Sequence, residues 1–538
     1  MKPGVANALW VASCWPEWHR FQRSEHVQET QADLLSRYLR QNKATEYGER
    51  YHFDTITSPC QYQESVPLTT YDDYIEYITR IGEGQRSILT AEPVRMFELS
   101  SGSTAASKLI PYTNELKAEF QRGVAPWIYN LYTSIPELQD GLAYWSITPL
   151  TDGKRFTKCG IHIGFESDSE YLGQFGKWLA ESVMAVPNTV KNISEVDTFR
   201  YVTLLHLLRQ PNLRLISVWN PTFLSLLIAS LPKWWDGLLH DIERGIVTRA
   251  DIELRFAPKP ELARALRAAS PNDTESLWPR LRLISCWMDG ASAAYAHQLR
   301  EMFPHTELQA KGLLATEAFV SVPIIGVEGG VLSICSHFFE FINGAGEILL
   351  AHQIQKGKSY SVVVTTGGGL YRYQMQDVVE VIGHWKQIPR IRFVGKADHI
   401  SDWFGEKLEE RFVAIVLENV FARHLIFPAF AMLAPDNHNG FRYVMYLECD
   451  HCTDTLAEDL DNALRDNFHY DYCRKLGQLE AVQIYRVMRG VETYLSACQA
   501  RGQKLGNIKA SVLQKNTGWK DWFIFSPLPL GEGQGKGL

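Results

Sequence analysis

Apolar residues fall at helical spacing at Val27, Leu34, Leu35, Tyr38 and Leu39, with polar residues between, which predicts an amphipathic helix closing near Asn42. Val66-Pro67-Leu68 and Tyr71-Asp72-Asp73-Tyr74 read as a loop entering a second helix. Gly82-Glu83-Gly84 breaks that helix before a strand over residues 94–99. The chain then reads F-E-L-S-S-G-S-T-A-A-S-K-L-I-P-Y-T from Phe97 to Thr113, and Asn114 opens a helix that Thr113 is placed to cap. The predicted order is strand, polar loop, helix.

From Gly141 to Arg300 apolar runs (residues 215–219 and 281–288) alternate with helical patterns (223–231 and 295–302), as in an α/β sheet with crossover helices. Trp219-Asn220-Pro221-Thr222 and Trp287-Met288-Asp289-Gly290 follow such runs, where open α/β sheets bind ligands, although tryptophans there also fill core. Residues 360–366 (Y-S-V-V-V-T-T) predict a buried strand ending in Gly367-Gly368-Gly369. Beyond residue 396 the pattern changes: helices over 406–422 and 455–468 alternate with strands over 443–448 and 481–487, and a third helix starts at Glu492. The expected division is a large domain over 1–396, a compact α+β domain over 397–525, and a Pro- and Gly-rich tail over 526–538 with little to bury.

Composition narrows the function classes. With 538 residues the chain exceeds one ordinary core, and 45% hydrophobic with 21% charged residues is the balance of a soluble enzyme. No run approaches the roughly 18 apolar residues of a membrane span. A net charge of -7 argues against nucleic acid as a partner. Nine scattered cysteines indicate a reducing compartment, and the lone Cys449-Asp450-His451-Cys452 lacks the second pair of a zinc site. The start, residues 1–15, is short, Trp-rich and carries only Lys2 as a base, unlike an export signal, so a cytoplasmic protein is expected.

Three stretches carry candidate chemistry. Ser100, Ser101, Ser103 and Thr104 surround Gly102, with Lys108 following; such a loop turns backbone N–H groups and a cation toward phosphates. Thr316-Glu317 ends the run from Lys311 and offers a hydroxyl for phosphate and a carboxylate for Mg²⁺. Asp377, heading a β-branched run, is placed to accept bonds from vicinal hydroxyls, or is a turn aspartate. The motifs of P-loop NTPases, zincins and serine hydrolases are absent.

This ordered set resembles the adenylate-forming superfamily and, within it, the GH3 family of acyl-acid amido synthetases, found in plants and in bacteria, with this chain similar to the bacterial type. The resemblance runs from about residue 28 to 512 and rests on Ser100-Ser101-Gly102-Ser103-Thr104 with Lys108, Gly312-Leu313-Leu314-Ala315-Thr316-Glu317, Tyr371-Arg372-Tyr373 with Asp377-Val378-Val379, and Gly405-Glu406-Lys407-Leu408. Thr45-Glu46-Tyr47-Gly48, Trp219-Asn220-Pro221 and Phe338-Phe339-Glu340-Phe341 agree with it. It implies an α/β fold: a large N-terminal adenylate-forming domain, its sheets flanked by helices, and a small mobile α+β C-terminal domain hinged near 396–398. By resemblance, the loop from Ser100 to Lys108 holds the β- and γ-phosphates of ATP, Thr316 the α-phosphate, Glu317 Mg²⁺, and Asp377 the ribose. Lys396 stands where an arginine commonly contacts the ribose. A late lysine completes adenylation, Lys509 first and Lys504 second. The implied reaction joins a carboxylic acid to an amine or amino acid through an acyl-adenylate. A thioester-forming ligase and a non-catalytic nucleotide-binding protein are the alternatives.

The chain departs from the family at Ala105 and Ala106, at Gln376 where glycine is usual, and at Ala510-Ser511 after the late lysine. These changes imply a stiffer loop and weaker ATP binding. Trp127, Tyr144, Trp145, Trp219 and Phe223 offer aromatic walls for an acyl group, and neither the acid nor the oligomeric state is legible.

Overall fold

The computed structural model describes residues 2–24, 26–100, 108–146, 155–164, 178–179, 181–249, 252–396, 400–404, 406–438, 440–501, 503, 508–523 and 525–527. The chain divides into two compact units, one of residues 1–289 with 296–393, the other of residues 394–538 with Gly290–Tyr295.

In the first unit the Trp-rich start folds as helix α1 (Pro3–Arg23), which buries Trp10 at 6.0 Å from the rings of both Tyr132 and Trp145. Helix α2 (Val27–Asn42) buries Leu34, Leu35, Tyr38 and Leu39, the residues whose periodicity predicts it. Strands β1 (Met96–Ser100) and β2 (Lys108–Tyr112) then pair antiparallel, with Ser100 opposite Lys108. The predicted strand–loop–helix is thus corrected to an antiparallel strand pair ahead of the helix, with residues 101–107 between the two strands outside the described residues. Ile110 and Tyr112 are fully buried, so core packing holds Lys108–Tyr112 extended, and helix α3 (Asn114–Ser134) starts only afterwards. Thr113 caps it as expected, its hydroxyl accepting from the Leu116 N–H.

Four parallel strands, β3 (Leu142–Trp145), β4 (Leu213–Ser217), β5 (Leu283–Cys286) and β6 (Glu307–Ala310), form a sheet in the order β6-β5-β4-β3. Helices at Val196–Leu208 and Ala293–Met302 intervene in sequence, as the alternating pattern requires. A seven-stranded sheet is centred on β7 (Phe338–Ile342), β8 (Ser359–Thr365), β9 (Tyr373–Trp385) and β10 (Ile388–Lys396), adjacent in that order. Phe338, Phe339, Phe341, Val362, Val364 and Val379 from these strands join the same core as α2 and the β1–β2 pair.

One ion pair sits inside this sheet. Arg372 is 2% exposed and Glu340 1% exposed, and the guanidinium Nε donates to both Glu340 oxygens at 3.2 and 3.1 Å. Its Nη1 donates to the carbonyls of Gln63 and Val66 at 2.7 and 2.6 Å, which fastens that loop to the sheet. These bonds also hold Arg372 at φ +49°, a conformation that non-glycine residues rarely adopt.

In the second unit β11 (Phe430–Asp436), β12 (Arg442–Glu448) and β13 (Gln483–Val487) pair antiparallel and then parallel. Helices α4 (Glu410–His424) and α5 (Leu456–Leu464) pack on them, burying Val413, Leu417 and Leu460 against Leu433, Tyr443, Met445 and Leu447. Glu406 of the G-E-K-L motif is fully buried and accepts from the N–H groups of Trp403 and Phe404, a structural role. Phe525–Pro527 pairs with β13, so Ser526 and Pro527, expected in an unordered tail, are edge-strand residues; the edge is where proline is tolerated. All nine cysteines are free, and Cys449 and Cys452 lie with sulfurs 3.1 Å apart. Among the described residues no helix is long and apolar enough to cross a membrane.

Glu340→Ala leaves the Arg372 charge buried without its counterion. It should cost about 3–5 kcal/mol in urea unfolding, and a loss below about 1 kcal/mol would show that the pair is not a structural anchor.

Candidate active site

Thr316 and Glu317 stand at the tip of a four-residue turn. The Ala315 N–H donates to the Ala318 carbonyl at 3.0 Å, and Leu314 bridges Phe319. They end the run from Lys311, yet β6 stops at Ala310 and a non-strand segment carries the chain to them. Gly312 is required in that segment, because a Cβ there would lie 2.0 Å from the Ser321 carbonyl oxygen. Tyr112 of β2 donates its hydroxyl to the Thr316 carbonyl at 2.5 Å, tying the turn to the strand that leaves the serine-rich loop.

Asp377 is set by a bulge. Opposite Ser361 and Val363 of β8 stand Val378 and Gln374 of β9, four residues apart instead of two, so β9 carries two extra residues. Gln376 takes φ +62° inside this bulge, the left-handed conformation for which glycine is suited, and that is the physical reason a glycine is favoured there. The bulge leaves Asp377 3% exposed with Oδ1 buried and without a hydrogen-bond partner. An orphaned carboxylate oxygen inside a protein is costly unless a ligand completes it, and vicinal hydroxyls suit it.

Two tyrosines lie in the electrostatic field of these groups. Tyr71 accepts the Leu109 N–H at 2.7 Å and lies under Lys108, whose Nζ is 5.6 Å from its ring centroid. Burial pushes the Tyr71 hydroxyl pKa up, and the Glu317 charge adds to the rise. Burial also raises Tyr373, with Glu317, Tyr71, Tyr74 and Asp377 each adding to it. The charges of Glu317 and Asp377 are thus both felt at Tyr373, and that of Glu317 also at Tyr71. Glu317 is 8% exposed, and among the described residues no three acidic, histidine or cysteine side chains cluster as a metal cage. A single carboxylate fits Mg²⁺, which takes its remaining ligands from phosphate and water.

Sequence reasoning missed what holds these loops together. Glu119 on α3 is fully buried, and its carboxylate accepts the Gly367 N–H at 2.9 and 3.1 Å. His337 Nδ1 lies 2.8 Å from Glu119 Oε2, and its Nε2 accepts the Phe319 N–H at 3.0 Å, which places the ring proton on Nδ1. Thr113 donates its hydroxyl to the Gly367 carbonyl at 2.9 Å. His337 directly precedes the Phe338-Phe339-Glu340-Phe341 segment, and that adjacency is the one signal available for it.

Ser101, Gly102, Ser103, Thr104 and Lys504 lie outside the described residues, as does the side chain of Ser100. Lys396 ends β10 and Lys509 is half-buried, its carbonyl accepting from the Tyr494 hydroxyl at 3.0 Å; both belong to the second unit.

The fold is that of the adenylate-forming ligases. The GH3.15 acyl acid amido synthetase in complex with 2,4-DB superposes with a TM-score of 0.82 over 96% of both chains at 20% identity. A 2-hydroxyisobutyryl-CoA ligase in its postadenylation state gives 0.52 over 91% of this chain and 89% of its own, at 8% identity. The chain belongs to the GH3 family, whose N-terminal, central and C-terminal domain models match residues 19–308, 330–396 and 413–518. A jasmonoyl–L-amino acid synthetase of Nicotiana attenuata is 26% identical over 504 residues, 86% of each chain. An indole-3-acetic acid-amido synthetase of Oryza sativa subsp. indica is 26% identical over 425 residues, 72% of this chain and 69% of its own. As a GH3 protein the chain is an amide-forming ligase that uses ATP and proceeds through an acyl-adenylate.

The Gln376→Gly substitution should relieve the left-handed strain and raise stability by about 1 kcal/mol, read as a higher urea midpoint with an unchanged slope. A lower midpoint would mean that the Gln376 side chain makes contacts worth more than the strain.

Proposed function

We propose that the Thr316-Glu317 turn and Asp377 form the ATP side of this ligase, that the loop from Ser100 to Lys108 holds the β- and γ-phosphates, and that Lys509, or failing it Lys504, assists adenylation. The observation that carries the reading is the orphaned Oδ1 of Asp377, set by the bulge. In the first half-reaction an oxygen of the substrate carboxylate attacks the α-phosphorus of ATP and pyrophosphate departs. In the second, an amine nitrogen, that of an amino acid, attacks the acyl carbon and AMP departs, leaving an amide after proton loss.

Asp377 would accept from the ribose hydroxyls, and Lys396 would approach the same sugar as a point charge without the bidentate fork of arginine. The Thr316 hydroxyl would donate to the α-phosphate, where charge builds on bond formation. Glu317 would hold Mg²⁺, which supplies charge neutralisation between an anionic nucleophile and an anionic phosphate. The small unit would rotate between half-reactions near residues 396–398 and carry Lys509 to the nucleotide in the first. The use of ATP and the nine free cysteines support a cytoplasmic location.

Labelled pyrophosphate should exchange into ATP in the presence of a suitable acid, from a panel that includes jasmonate, indole-3-acetate and 2,4-DB, the acids in its relatives' names. Lys509→Ala should slow that exchange by about 100-fold or more with ATP binding retained. Full exchange in the variant would transfer the role to Lys504, and no exchange with any acid would overturn the adenylation reading.

A further inference from the structure

The parallel sheet carries a feature the ATP site does not use. In its register Trp145 is opposite Ser217, Ser217 opposite Ser285, and Ser285 opposite Gln309, so one row crosses all four strands on one face. Parallel sheets covered on both faces are ordinarily apolar along their strands. Here every strand places a hydrogen-bonding side chain in the same row, close to the strands' C-terminal ends, where open α/β sheets receive ligands.

Lys311, two residues beyond Gln309 and 8% exposed, returns over the row. Its Nζ donates to Ser217 Oγ at 2.9 Å and stands 4.1 Å from the Trp219 ring centroid and 5.4 Å from that of Trp127. Trp127 donates its Nε1 to Gln309 Oε1 at 3.1 Å and meets Trp145 edge-on at 5.5 Å, which closes the aromatic wall. What remains in the row is donor capacity. Gln309 Nε2, Trp145 Nε1 and Ser285 Oγ are buried without hydrogen-bond partners, in residues of which Gln309 is 7% and Ser285 0% exposed. A lysine amine, an indole N–H and a carboxamide NH₂ are all donors, so the row is complementary to an acceptor and not to an alkyl or aryl end.

We propose that this row is the far wall of the acyl pocket and that it selects carboxylic acids bearing a second acceptor group, a distal carboxylate first, which Lys311, Gln309, Ser285 and Trp145 hold. The inference rests on the acyl-adenylate reading above. The segment from Lys311 to Thr316 joins the row to the Thr316-Glu317 turn, and its five steps span at most about 18 Å between Cα atoms. Trp127 and Trp219 would flank the carbon chain between them. Lys311 and the row are specificity determinants and take no part in bond making.

The test pairs acids of matched length, with and without a distal carboxylate, in pyrophosphate exchange, and titrates the same acids by tryptophan fluorescence without ATP. For the wild type kcat/KM should favour the diacids by about tenfold or more. That ratio should collapse through KM in Lys311→Met and fall severalfold in Ser285→Ala, which removes one hydroxyl and keeps the fold testable if the lysine variant does not fold. Exchange with plain acids only, and an unchanged ratio in either variant, would overturn the inference and leave the adenylation reading intact. Diacids that quench the wild type and not the variants, with no exchange from any acid, would support the row as a binding site and overturn the adenylation reading. Neither quenching nor exchange would overturn both.

Discussion

The glycine triplet, the Thr316-Glu317 turn and the start of α3 hang from one buried carboxylate. Glu119 has no exposure, takes the Gly367 N–H of the glycine triplet, and meets His337, whose other nitrogen takes the Phe319 N–H beside the Thr316-Glu317 turn. Thr113, which caps α3, bonds the carbonyl of the same Gly367. Each of these groups is buried, and an unmet buried donor or acceptor costs about 1–3 kcal/mol, so the loops have one arrangement in which all are satisfied. Arg122 at 3.8 Å from Glu119, and Glu115 at 2.9 Å from both Arg122 and Arg37, carry the charge balance outward to the surface.

On this frame the backbone takes conformations it would otherwise avoid. Arg372 and Gln376 both have positive φ within five residues, Arg372 just before the register shift that delivers Asp377 and Gln376 inside it. Strain of this kind persists only where the surroundings over-determine it. For Arg372 the cause is visible in the bonds to Glu340, Gln63 and Val66, which leave its peptide no freedom. The outcome is a buried carboxylate oxygen without a partner, held in place before any ligand arrives.

Much of this was legible in the sequence, and the limits have physical causes. Helices such as α2 were readable because burial on one face imposes a period on the residues themselves. The motifs that carry Thr316, Glu317 and Asp377 were readable as strings. The β1–β2 pair was not, because Lys108–Tyr112 is held extended by core packing of Ile110 and Tyr112, a tertiary effect that leaves no local period to read. In the sequence the bulge at Gln376 shows only as a missing glycine; its meaning needs the partner strand. Glu119 and His337 are 218 residues apart, and nothing local to either announces the other. The row on the parallel sheet is a further case, since Trp145, Ser217, Ser285 and Gln309 become one surface only through strand register.

The central claim is that the Asp377 carboxylate, set by the bulge, holds the ribose hydroxyls. A calorimetric double-mutant cycle tests it directly, crossing Asp377→Ala with ATP and its 2′,3′-dideoxy analogue. Removing the carboxylate and removing the hydroxyls should be strongly non-additive, with a coupling of about 1.5–3 kcal/mol, the range for hydrogen bonds to a charged group. Additive losses in affinity would contradict the account, because they would show that Asp377 and the ribose hydroxyls act on nucleotide binding independently.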